Sequence, residues 1–76
     1  MNSISDVMIH INEPLSVPDR ERMENRMRDQ PGVIAARFNP GKEHLLVVAF
    51  DPVQVRPATL LAQARDIGYT AQLVGA

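Results

Sequence analysis

Residues 6–12, DVMIHIN, place Val7, Ile9 and Ile11 on one side and Met8, His10 and Asn12 on the other. A period of two is that of a half-buried strand. Between residues 18 and 29 the only apolar positions are Met23 and Met27, four apart among charged residues; this is the narrow stripe of a surface helix. Glu24 and Arg28 have the favourable order for an exposed ion pair, and Pro31 with Gly32 ends the helix. VIAARF predicts a second strand, with Ile34, Ala36 and Phe38 on one face and Ala35 and Arg37 on the other. NPGKEH predicts a hairpin connection, because Pro40 presets the turn and Gly41 accepts a positive φ. LLVVAF is apolar on both faces, as a central strand should be. Pro57 suits the first turn of a second helix carrying Leu60, Leu61, Ala64 and Ile67, which Gly68 terminates; YTAQLV is the fourth strand.

The order strand, helix, strand, strand, helix, strand predicts an α+β, ferredoxin-like βαββαβ sandwich. Its four-stranded antiparallel sheet has two helices on one face and leaves the other face open. With 76 residues the expectation is a single domain over 1–76, whose small core buries only about 60% of the unfolded chain's surface. A net charge of −1 supplies no basic face for phosphate, so nucleic-acid binding is not expected. No apolar run reaches the length of a bilayer span and no signal-peptide pattern opens the sequence. These features predict no membrane insertion and a cytoplasmic location. Cysteine is absent, which removes disulfides, thiolate metal sites and a cysteine nucleophile together.

The junction EPLSVPDRERME, residues 13–24, reads as a helix start. Ser16 and Asp19 have the spacing of a capping box, with Ser16 accepting from the third helical N–H and the acid reaching back. Pro18 falls in the first turn, and Asp19 lies near the positive end of the helix dipole.

Taken with PGVIAARF, VVAFDP and LLAQARDIGYTAQL, the chain resembles the heavy-metal-associated domain family of copper chaperones and transport-ATPase modules, nearly end to end. The pair Gly68-Tyr69 is the most telling part. The resemblance implies a metal loop of the form Met-x-Cys-x-x-Cys between the first strand and first helix. Here its three ligand positions fall on Pro14, Ser16 and Asp19. A serine hydroxyl is a poor ligand for soft ions, and a lone carboxylate prefers hard ones. No thiolate-bound copper or zinc cofactor is therefore expected.

Other candidates are weaker. Met8, His10 and Asp19 are the least implausible non-thiol metal ligands. His44 has the parity of Leu46 rather than of Leu45, so the two histidines are not expected to converge. Met8, His10, Leu45, Val47 and Ala49 form an outward sheet patch suited to an interface, and the resemblance places Tyr69 near the loop. Arg20, Arg22, Arg26 and Arg28 alternate with acids and read as a solvated face. The sequence contains no nucleophile motif or phosphate loop, and the junction has neither the arginine before Pro18 nor the glycine that an acylphosphatase cradle needs. The expectation is a protein-interaction module, not an enzyme, associated with metal transport or metalloprotein maturation. A protein partner or weak homodimer is its expected contact, and a carrier or sensor using His, Met and Asp ligands is the alternative.

Overall fold

The computed structural model describes residues 3–75. The elements run β1 (Ser5–Ile11), α1 (Val17–Arg28), β2 (Val33–Asn39), β3 (Lys42–Phe50), α2 (Pro57–Asp66) and β4 (Ala71–Val74). They form one antiparallel sheet in the order β2-β3-β1-β4, the ferredoxin-like arrangement. β3 is central, which explains its apolar residues on both faces.

Alternation sets the core. Ile9 and Ile11 from β1, and Leu46, Val48 and Phe50 from β3, are buried under Met23 and Met27 of α1 and Leu60 and Ala64 of α2. All the buried residues are apolar or small, and among the described residues no polar side chain is buried. The two methionines four apart are enough to seat an otherwise charged helix. Arg26 Nε donates to Gln63 Oε1 at 3.0 Å, and Gln63 Nε2 donates to Gln30 Oε1 at 2.7 Å. This polar seam joins α1 to α2 above the core. Among the described residues no helix is long and apolar enough to cross a membrane.

Three local expectations are corrected. Ile34 is 55% exposed rather than turned inward. The β2–β3 register shifts between Val33 and Ala35, and a bulge of this kind resets the facing of the residues around it, so Val33 packs against the core instead. Ile67 lies beyond the last turn of α2 and is 41% exposed. β4 begins at Ala71 rather than Tyr69.

The turns follow their residues. Pro40 and Gly41 close the β2–β3 hairpin, with Asn39 opposite Lys42 and Gly41 at φ 77°. Gly32 has φ 95°, and a Cβ there would come within 2.8 Å of Gln54 Cβ and 2.9 Å of Val55 Cγ1. Both its conformation and the closeness of the β3–α2 connection exclude a side chain.

Candidate functional site

Leaving β1, the chain buries Leu15 and turns into α1 at Ser16. Ser16 Oγ accepts from Asp19 N–H at 3.3 Å, and Ser16 C=O accepts from Arg20 N–H at 2.9 Å. Pro18 occupies the first turn, as its spacing predicts. The capping box is only half made. Asp19 does not reach back to the N-cap; its carboxylate pairs with Arg22. Arg20 Nη1 also donates to Leu15 C=O at 2.6 Å.

This geometry does not fit a soft metal. Of the three ligand-loop positions, Pro14 has no donor, Ser16 caps the helix, and Asp19 is held in an ion pair, so only oxygen ligands remain. The charged helix face is tied down in the same way, with Glu24 Oε1 4.0 Å from Arg28 Nη2 and Glu24 Oε2 accepting from Phe38 N–H at 2.8 Å.

The junction is clipped to β4 by Glu13. Its carboxylate accepts from Thr70 N–H at 2.8 and 3.1 Å, and Asn12 N–H donates to Thr70 C=O at 2.9 Å. The Thr70 amide stabilises the ionised form and lowers the Glu13 pKa from its ordinary value.

At the same end of the sheet the histidines do converge, against the parity argument. The rings of His10 and His44 stack with centroids 5.7 Å apart and planes within 15°. The physical reason is the second register shift: Phe38 faces Leu46 while the next residue, Asn39, faces Lys42. Leu45 still faces His10 at the last step of the β1–β3 register, so it is His44, just beyond it, that the shift releases from strict alternation. His44 Nδ1 lies 2.7 Å from Ile11 C=O, and because that oxygen only accepts, the ring donates from Nδ1. His10 Nδ1 lies 3.0 Å from Asn12 Oδ1 and 3.1 Å from Gln72 Nε2; Gln72 Nε2 also donates to Asn12 Oδ1 at 3.3 Å. His44, Gln72 and Asn12 were not legible as partners of His10. Gln72 faces His10 across the β1–β4 pairing, but that register is not written in either strand alone.

The three non-thiol candidates are not brought together. Asp19 is engaged by Arg22, Met8 lies across from Val47 and Val74, and His10 meets His44 instead. Among the described residues no group of three or more His, Cys, Asp or Glu is placed to hold a metal.

On the open sheet face, Met8 is 40% and Val74 38% exposed. Leu45, Val47 and Ala49 are half-buried beside them. Val74 belongs to this strip by the alternation of β4, although it was not among the expected patch residues. Tyr69 is half-buried on the helical side, in a groove with Met23, Arg22 and Ile67, apart from the sheet patch.

No protein-family model matches the chain, and no curated protein does. Solved structures do. Oxidised MerP from Ralstonia metallidurans CH34 superposes with a TM-score of 0.82 at 15% identity, over 95% of this chain and 99% of that one. The N-terminal domain of a potential copper-translocating P-type ATPase from Bacillus subtilis, in the Cu(I)-loaded state, gives 0.82 at 21% identity, over 93% and 88%. A putative copper-ion-binding protein from Bacillus anthracis str. Ames gives 0.82 at 18% identity, over 95% and 100%. The identities are low enough that the likeness establishes the fold, the one that the heavy-metal-associated resemblance implied.

Proposed function

We propose that this chain is a protein-interaction module on the heavy-metal-associated fold, working in a metal-transport or metalloprotein-maturation setting in the cytoplasm, with no thiolate cargo site and no catalytic role. The observation that carries this reading is the reassignment of the ligand loop: Ser16 caps α1, and Asp19 is paired with Arg22. The structural neighbours, among them the N-terminal domain of a potential copper-translocating ATPase and a putative copper-ion-binding protein, suggest the setting. The contact surface is the open sheet face, where Met8, Val47 and Val74 adjoin in register.

A second copy of the chain is the simplest occupant of that face. Burying the strip gains about 25 cal/mol per Å² of apolar surface, while association costs at least several kcal/mol in lost freedom. The dimer is accordingly weak. Sedimentation velocity in a chelating buffer, across a concentration series, tests this reading. The wild-type coefficient should rise with concentration and that of Val47→Lys should not, because a charge at the centre of a dry contact is costly while on a wet sheet it is tolerated. A wild type that stays monomeric at millimolar concentration rules out the second copy as occupant.

The His10–His44 pair favours a second reading, metal handling through non-thiol ligands. Its site differs from the one the sequence suggested.

A further inference from the structure

Each histidine of the stacked pair is held through one ring nitrogen and leaves the other without a protein partner among the described residues. His44 donates from Nδ1 to Ile11 C=O at 2.7 Å. His10 Nδ1 lies between Asn12 Oδ1 at 3.0 Å and Gln72 Nε2 at 3.1 Å; the shorter contact is met by Nδ1–H donating to Asn12 Oδ1, and Gln72 Nε2 then donates to that same oxygen at 3.3 Å. In these tautomers both Nε2 atoms carry a lone pair. Neither is sealed off: both residues are half-buried, yet no buried side-chain nitrogen or oxygen lacks a hydrogen-bond partner among the described residues. The unpartnered Nε2 atoms therefore reach solvent. Two imidazoles side by side, each oriented through Nδ1 by an oxygen acceptor, form the outer-shell arrangement that orients metal-ligating histidines.

We propose that His10 Nε2 and His44 Nε2 form a two-histidine site for a borderline divalent transition ion such as Zn(II) or Cu(II). Imidazole suits these ions, and Mg(II) or Ca(II), which want oxygen ligands, are excluded. A zinc–nitrogen bond is about 2.0–2.1 Å. The rings lie 5.7 Å apart and within 15° of parallel, so holding one ion requires each to turn toward the other about its broad terminal torsion while Nδ1 stays within reach of its acceptor. Two protein ligands leave the remaining positions to water or to a partner's side chain, so the site is open and its affinity is below that of a closed four-ligand centre. This site is separate from the Ser16–Asp19 loop. It stands whether or not the open sheet face associates.

The test is an NMR titration of the full chain with zinc chloride, reading backbone amides and imidazole nitrogens together, alongside His10→Gln and His44→Gln. The wild type should show saturable shifts confined to residues around His10, His44 and Gln72, with Nε2 the nitrogen that changes and Nδ1 remaining protonated. Each glutamine variant, its fold verified by its amide spectrum, should lose that saturation. Asn12→Ala, which removes the oxygen shared by His10 and Gln72 and leaves both histidines in place, should weaken binding about tenfold. Magnesium chloride should produce no such shifts. The proposal is overturned by wild-type spectra unchanged up to millimolar zinc, by shifts centred elsewhere, or by undiminished binding in either glutamine variant. Self-association is read separately by sedimentation in chelator, so the failure of one proposal is not the failure of the other.

Discussion

At the β1–α1 junction a side chain caps the helix, Ser16 Oγ accepting from Asp19 N–H. At the β3–α2 junction the N-cap position is Arg56, whose side chain makes no such bond. The second junction is instead closed around Asp51. Its N–H donates to Gly32 C=O at 2.8 Å, its C=O accepts from the amides of Gln54 and Val55 at 3.1 Å each, and its carboxylate takes Val53 N–H and Gln54 Nε2. Val55 is buried beneath it. Both junctions place a proline in the first turn. The second junction is closed mainly by bonds within its own loop; the first is tied to neighbouring strands by side chains, Glu13 to Thr70 and His44 to Ile11. The histidines at the first junction are each tied through Nδ1 and keep a second ring nitrogen, and that capacity is why the candidate chemistry gathers there.

The sharpest way to break the contrast is Gly32→Ala, which strikes the second junction. The positive φ alone costs an alanine about 1–3 kcal/mol, and the added Cβ also meets Gln54 Cβ at 2.8 Å and Val55 Cγ1 at 2.9 Å. The loss should exceed that range's midpoint in denaturant unfolding, with the β3–α2 amides shifting most in the spectrum. A loss under about 0.5 kcal/mol, within the usual scatter of surface substitutions, would show that the two connections do not press on each other.

Ser16→Ala at the other junction should cost less, about 0.5–2 kcal/mol. The 3.3 Å bond is long, and the acid does not complete the capping box, so the lower half of that range is expected. Hydrogen exchange should localise the loss to the first turn of α1. Equal losses at the two junctions would remove the distinction between closed loop and cap.

The strands and helices were legible because their periodicity is local: Ile9 and Ile11, Met23 and Met27, Leu60 and Ala64 are all buried where the pattern put them. What escaped was set by pairing between strands. The bulge after Val33 turns Ile34 outward, and the shift at Asn39 frees His44. The polar cluster joins residues 33 and 62 positions apart, Ile11 with His44 and His10 with Gln72. No spacing rule within a strand reaches that far. The empty thiolate set, by contrast, followed from composition alone.

The smallest effect belongs to Glu13, and it separates the junctions by pH rather than by size. The Thr70 N–H holds the Glu13 carboxylate below its ordinary 4.5 in the folded chain. A group whose pKa is lowered on folding contributes stability above its unfolded value, and the contribution disappears as pH falls through the folded one. Glu13→Gln keeps an acceptor for Thr70 but removes the charge. The wild type should therefore melt slightly higher than the variant at neutral pH, and the gap should close as the solution is acidified below 4.5. The bond to Thr70 lies at the surface, so water screens the interaction and the gap stays small. The Asp51 loop gives the reference: with Val55 buried beneath it, a Gly32→Ala deficit comes from steric overlap and should persist across the same acid range. If the Glu13→Gln gap were constant with pH, the carboxylate's charge would play no part in holding β4 to the junction. The clip would then be an ordinary neutral hydrogen bond.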